Sequence, residues 1–310
     1  MKHPAILFPR AAALERIKAL VLDTLPSAES KRAYRQGLDD FFRWSEAEEL
    51  GGFTKATVNA YRASLEARRL SPSTINQRLS AIRKLAMEAA DNGFMPPELA
   101  AAISRVRGAK RLGIRTGQWL TREQAESLIS APNATTMKGK RDRALLAVLI
   151  GCGLRRKEAT ALAIEHVQLR DARWVIVNLI GKGGRVRTVP MPSWAKNAID
   201  AWIIAAGIDN GFIFRSINKS GLVNANSMTA RSIFEVVQMW GSRIGVPNLA
   251  PHDLRRTFAK LAHKGRAALE QIQLSLGHAS VTTTERYLGV RQDLTDPPCD
   301  HLGLTGEVPG

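Results

Sequence analysis

Four segments in the second half of the chain carry residue types that together could move a phosphoryl group. In 151-GCGLRRKEATAL-162 a glycine pair turns the chain after an apolar run and presents Arg155, with Glu158 three positions on and so on the same helical face. A fork-shaped guanidinium held by a carboxylate suits a phosphate clamp. The stretch 181-GKGGRVR-187 is glycine-rich and carries Lys182. It lacks the spacing of a P-loop and joins two strands instead of opening a helix, so it reads as a hairpin tip that could reach into DNA and donate a proton from Lys182. In 251-PHDLRRTFAKLAHKG-265, Pro251 starts a helix on which His252 and Arg255 share a face. Arg256 points about 100° away around that helix, toward DNA backbone or solvent. In 276-LGHASVTTTERYLG-289, His278 precedes Tyr287. A tyrosine hydroxyl, with a reference pKa of about 10, becomes a nucleophile only by losing its proton to a neighbour.

Each segment alone also has an ordinary structural reading: a basic surface run, a hairpin turn, a common His-x-x-Arg pair, a core tyrosine. Taken together, two arginines, two histidines, one lysine and one tyrosine form a set for phosphoryl transfer without metal. The arginines neutralise the equatorial oxygens, a histidine takes the phenolic proton and the lysine protonates the leaving alkoxide. No acidic cluster suggests a two-metal nuclease and no Walker loop suggests ATP use, so no metal or cofactor is expected. A covalent phosphotyrosine would conserve the energy of the broken bond, and rejoining would need no fuel.

These residues must be positioned by a fold, and the sequence predicts a mainly α protein. Apolar residues at helical spacing in 29-ESKRAYRQGLDDFFRWSEAEEL-50 (Tyr34, Leu38, Phe41, Phe42) end at Gly51-Gly52. The segments 54–70, 71–93 and 97–108 follow as helices, with Ser71 as N-cap, Pro72 in the first turn and Gly93 at the exit. This is an all-helical N-terminal bundle over 25–108, preceded by an extension over 1–24. The glycine-rich basic stretch 109–118 reads as a linker. A second, mostly helical domain over 119–290 opens at Thr121, where Gln124 completes a capping-box pattern. Its helix 140–153 is apolar enough to be buried. Three short strands at 166–171, 173–180 and 185–190 make a small three-stranded antiparallel sheet. Helices resume at 192–207 and continue to the end, and 291–310 reads as a tail.

The charge is far from neutral. The chain of 310 residues has 45 Lys and Arg against 28 Asp and Glu, a formal +17, which predicts attraction to polyanions and to nucleic acid first. A membrane surface is the weaker alternative, because the basic residues are spread over several segments and not gathered on one amphipathic helix. The most apolar run, 144–154, is far short of the ~20 residues of a membrane span, and the N-terminus lacks a signal peptide's apolar region. Cys152 and Cys299 are too few for a disulfide framework or a zinc site. A cytoplasmic, nucleoid-associated protein is the expectation. On the third predicted helix, Asn76, Gln77, Arg78, Arg83 and Lys84 are candidate DNA contacts, as are Lys110 and Arg111 in the linker.

At this point the sequence resembles the tyrosine recombinases, the phage-integrase family, from about residue 25 to 290. The pieces that carry the likeness are G-L-R-R-K-E at 153–158, G-K-G-G-R at 181–185, H-D-L-R-R-T-F-A at 252–259 and L-G-H-A-S-V-T-T-T-E-R-Y at 276–287, together with 71-SPSTINQRLSAIRKL-85 in the core-binding domain. The resemblance implies that Tyr287 attacks the scissile phosphate, forming a 3′-phosphotyrosyl link and freeing a 5′-hydroxyl. It implies Arg155 and Arg255 on the non-bridging oxygens, His252 as proton acceptor for Tyr287 and His278 as a further donor to the phosphate. Lys182 would be the general acid and Glu158 a support for the site.

In that family two domains close as a C-shaped clamp on double-stranded DNA, with a dimer on each inverted-repeat site and a tetramer holding two sites through a Holliday junction. Accessory DNA-bending proteins or a second recombinase are possible partners. The short segment before the first predicted helix leaves no room for the arm-binding domain of lambda-type integrases, so a simpler Xer- or Cre-like layout is expected, with the tail reaching a neighbouring protomer. Two alternatives remain: a type IB topoisomerase-like enzyme that relaxes supercoils as a monomer, and a non-catalytic DNA-binding protein.

Overall fold

The computed structural model describes residues 11–49, 52–110, 118–181 and 184–288. Lys182, Arg111 and the tail 291–310 fall outside the described residues. The chain divides into two compact units, Met1–Arg115 and Thr116–Gly310.

Among the described residues the first unit is a bundle of five helices: α1 (Ala11–Asp23), α2 (Ala28–Ala47), α3 (Lys55–Ala67), α4 (Pro72–Asp91) and α5 (Pro97–Ser104). Three starts are fixed locally. The hydroxyls of Ser27, Thr54 and Ser71 accept from the backbone N–H groups of Ser30, Thr57 and Thr74, each cap contributing about 1 kcal/mol. The core gathers Leu38, Phe41, Tyr61, Leu65, Leu79 and Ile82. At its edge the half-buried Asp40 accepts from the Tyr61 hydroxyl at 2.6 Å and pairs with Arg68 and Arg78. Residues 11–23, assigned from the sequence to an extension, form α1 instead. Ile17 and Val21, four apart on one face, are buried in the bundle core, and that burial outweighs the weak local signal downstream of Pro4 and Pro9.

The second unit contains α6 (Arg122–Ser130), α7 (Met137–Gly151), α8 (Arg156–Thr160), β1 (Val167–Arg170), β2 (Arg173–Ile180), β3 (Val186–Pro190), α9 (Ser193–Ala206), β4 (Arg215–Ile217), β5 (Val223–Ser227), α10 (Ala230–Arg243), α11 (Pro251–Lys264), α12 (Leu269–Leu276) and α13 (Val281–Leu288). Helix α7 is its axis: every residue from Ala144 to Ile150 is buried, as continuous apolar sequence requires. Trp202, Phe214 and Trp240 pack around it. The Trp240 indole donates to Asp142, a carboxylate with no exposure that also pairs with Arg141.

The expected sheet is present, antiparallel in the order β1-β2-β3, with Leu179 opposite Arg187 and Ile180 opposite Val186. The capping box at Thr121 and Gln124 is also formed. One expectation needs correction. The segment after 207 is not helical throughout, since β4 and β5 make a two-stranded hairpin. Its residues, 215-RSI-217 and 223-VNANS-227, are too short and polar to announce strands, and the Asn218–Gly221 turn is the only local sign. Among the described residues no helix is long and apolar enough to cross a membrane.

Candidate active site

The site is assembled where α8, β3, α11, α12 and α13 meet. Arg155 sits at the N-cap of α8, and Glu158, one turn in, accepts its backbone N–H at 2.7 Å and its Nη1 at 2.8 Å. Glu158 is buried, with its side chain 4% exposed. Burial alone would raise its pKa, but the hydrogen bonds from Arg187 and from the Arg155 backbone prevail and hold it at about 2.

Arg255 projects from α11 into the interior, 2% exposed. Its guanidinium donates to the carbonyls of Gly153 and Leu276. Burial and the neighbouring charge of Arg155 push its pKa down to about 9. Helix α11 begins as the sequence predicts, with Pro251 in the first turn and the Asp253 carboxylate accepting the Ala250 N–H at 3.1 Å.

The chain leaves α12 through Gly277, whose left-handed backbone (φ +60°) turns it toward α13. A Cβ at this position would come within 2.9 Å of the Arg187 stem, so glycine is needed for space as well as conformation. The turn orients His278, whose Nδ1 lies 3.0 Å from the Thr284 hydroxyl. One turn past Thr284, Tyr287 stands between two imidazoles, edge-on to both. Its ring centroid lies 5.4 Å from that of His252 and 5.3 Å from that of His278. The phenol donates to the His252 main-chain carbonyl at 3.3 Å.

The three rings respond to burial and to the surrounding cations. Burial pushes the Tyr287 hydroxyl up to about 12 despite Arg255 and Arg256. Burial, with the charges of Arg255 and Arg155, pushes His278 down to about 4. Desolvation and the charges of Arg256 and Arg255 also lower His252. Both imidazoles are therefore neutral at pH 7, able to accept a proton at one nitrogen and donate from the other.

Arg155, Glu158, His252, Arg255, His278 and Tyr287 are thus brought together from segments far apart in sequence. Arg256, expected on the DNA side or in solvent, lies over the Tyr287 ring at 5.5 Å and pairs with Asp253 at 3.5 Å. The sequence reading missed Arg187, Thr284 and Lys260. Arg187 donates from Nη1 and Nη2 to the two oxygens of Glu158 at 2.8 and 2.7 Å, and from Nε to the Ser275 carbonyl at 2.9 Å. Lys260 donates to the carbonyl of Leu288, next to Tyr287. Among the described residues no cluster of His, Cys, Asp and Glu is arranged to hold a metal ion.

The candidate DNA contacts of the first unit are mostly engaged within it. Asn76 grips Ala109 through both backbone groups, at 3.0 and 2.8 Å. Arg78 pairs with Asp40, Arg83 donates to the Val106 carbonyl, and Lys84 pairs with Glu88 at 2.9 Å. Gln77 and Lys110 are exposed.

Comparison with known proteins gives this geometry a lineage. Residues 118–293 match the phage integrase family, and residues 17–93 match the phage integrase N-terminal SAM-like domain. The chain belongs to the phage integrase family. Among relatives, it is 32% identical over 222 residues to tyrosine recombinase XerC of Pelobacter propionicus, covering 71% of this chain and 70% of that one. It is 30% identical over 276 residues to tyrosine recombinase XerD of Bifidobacterium longum, covering 83% and 85%. The fold of this family member is shared with the XerH site-specific recombinase bound to palindromic difH in a post-cleavage complex (TM-score 0.71, 20% identity, 90% of this chain and 80% of that one). It is shared too with a lambda integrase dimer bound to a COC′ core site (TM-score 0.69, 15% identity, 93% and 80%).

Proposed function

We propose that this member of the phage integrase family is a site-specific DNA recombinase that breaks and rejoins strands through Tyr287. The observation that carries the reading is the Tyr287 ring edge-on to the imidazoles of His252 and His278, with the buried Arg255 three positions on from His252 in the same helix. In the cleavage step the Tyr287 oxygen bonds to the scissile phosphorus as the bond to the 5′-oxygen breaks, leaving a 3′-phosphotyrosyl link. The phenolic proton passes to His252 and the leaving 5′-oxygen takes a proton from Lys182. Arg155 and Arg255 bind the non-bridging oxygens and His278 donates to one of them. Such fixed donors cost no reorganisation as charge develops. Rejoining reverses the same step, with no metal ion or ATP consumed.

The partner is double-stranded DNA carrying inverted repeats, in keeping with the palindromic difH substrate on which XerH is described. A dimer on each site and a tetramer across two sites would carry the reaction through a Holliday junction, in the nucleoid of the cytoplasm. The formal +17 charge supports the DNA partner.

A nicked suicide substrate containing the site tests the reading. The native protein should give a covalent adduct and Tyr287→Phe none, while both bind the DNA alike. No adduct with the native chain would favour a binding-only protein. Relaxation of supercoiled DNA lacking any site would favour a type IB topoisomerase-like enzyme.

A further inference from the structure

Three consecutive carbonyls at the end of α12 are each taken by a different arginine. Ser275 accepts from Arg187, Leu276 from Arg255 and Gly277 from Arg155, the last at a long 3.4 Å. The final carbonyls of a helix lack intrahelical partners and attract cations. Here that requirement joins the helix preceding His278 to both proposed phosphate-binding guanidiniums. Arg155 and Arg255 belong to the proposed chemistry. Arg187 does not.

Glu158 is saturated. Its Oε1 accepts from Arg155 Nη1 and Arg187 Nη1, and its Oε2 from the Arg155 N–H and Arg187 Nη2, all within 2.8 Å. Without Arg187, two of these four bonds would vanish, and among the described residues the buried carboxylate would keep hydrogen bonds from Arg155 alone. Arg155 would then be drawn inward, away from the face a phosphate must use. The stem of Arg187 also fills the space against Gly277, and its Nη1 packs against Gly181, the residue before Lys182, where a Cβ would stand 3.3 Å away. One side chain, 9% exposed, thus touches Glu158, the end of α12 and Gly181.

We propose that Arg187 is a positioning residue for strand transfer, which fixes Arg155 through Glu158 and His278 through the Ser275 carbonyl. The inference rests on the recombinase reading above. Its planar fork is required, because an ammonium cannot reach both Glu158 oxygens and the Ser275 carbonyl together.

The test compares native protein, Arg187→Gln, Arg187→Lys, Glu158→Gln and the Arg187→Gln Glu158→Gln double variant. Single-turnover adduct formation on the suicide substrate, DNA affinity and thermal unfolding are measured for each. Arg187→Gln and Arg187→Lys should each slow adduct formation about 100-fold, the scale of a small misplacement of reacting groups. DNA affinity should stay within about threefold of native for both variants. The double variant should be no slower than Arg187→Gln, because the carboxylate through which Arg187 acts is gone. A native-like rate in either single variant, a rate loss matched by lost affinity, or additive effects in the double would overturn the proposal. Should Arg187→Gln fail to fold, Arg187→Lys decides alone. Failure of the native protein to form an adduct would instead remove the recombinase reading itself.

Discussion

The Tyr287 hydroxyl rests on the main-chain carbonyl of His252, 3.3 Å away, while the His252 ring stands edge-on to the phenol. The resting contact keeps the proton on the tyrosine, as does the burial that pushes its pKa up to about 12. Deprotonation must therefore accompany attack, and a neutral base must be at hand. Because desolvation and the charges of Arg256 and Arg255 lower the pKa of His252 from its ordinary 6.5, it takes up its proton at lower pH than a free imidazole. Single-turnover adduct formation should therefore fall with acid, with its midpoint below about 6.5, the value of a free imidazole. His252→Gln, which accepts a hydrogen bond but not a proton, should slow the step about 10²- to 10⁴-fold with DNA affinity retained. A variant as fast as native would remove His252 from the proton path.

Arg255 makes a different prediction, because it is structural and chemical at once. Truncation to alanine strands the buried Gly153 and Leu276 carbonyls, at about 1–3 kcal/mol for each orphaned group, so the unfolding temperature should drop. Arg255→Lys keeps the charge and loses the fork. It should fold better than the alanine variant yet form little adduct, and if it cleaved like native the bidentate requirement would be wrong.

Much of this was legible in the sequence because helix starts are local chemistry. Ser71, Thr121 and Pro251 sit where capping rules require them, and each begins a helix. The residue types of the site were legible for a related reason, since a phosphate chemistry limits the side chains that can serve it. What escaped depends on contacts that spacing cannot encode. Arg187 meets Glu158 across 29 positions, and Asn76 meets Ala109 across 33, so an arginine the motifs passed over became a carboxylate partner and a candidate DNA contact became a clamp on the protein's own backbone. Helix α1 was missed because its evidence is burial of Ile17 and Val21 against a bundle that only tertiary structure supplies.

Gly277→Ala tests the turn before His278. The left-handed backbone strains any L side chain, and the new Cβ would press on the Arg187 stem at 2.9 Å. The variant should lose more than about 1 kcal/mol of stability and form adduct more slowly than native. Unchanged unfolding would mean that the turn relaxes freely.

The positive charge should register as a salt slope. If Z lysines and arginines contact phosphates, log affinity falls with log salt at roughly −0.9 per contact, so an extended interface of six to ten contacts loses about 10³- to 10⁵-fold between 50 and 200 mM. Gel-shift titrations across that range measure it. A nearly flat response would contradict an extended DNA interface.

Acid should loosen the second unit in two successive windows, and the signs follow from the shifts. His278 is held at about 4 by burial and by Arg255, Arg155 and Arg187, against about 6.5 in an unfolded chain. Between those values the unfolded chain binds more protons, so stability is complete above about 6.5 and declines as pH falls toward 4. His252 shifts in the same direction and adds to the decline. Glu158, at about 2 when folded against 4.5 in its free state, contributes fully above 4.5 and loses that contribution on the way down to 2. Thermal unfolding followed by tryptophan fluorescence, which apart from Trp44 reports the second unit, should show native protein losing stability between pH 7 and 5. The His252→Gln His278→Asn double variant should lose less over that interval, because the carboxylate stays ionised throughout it. Equal losses in the two proteins would mean that these imidazoles are not the groups whose protonation opposes the fold.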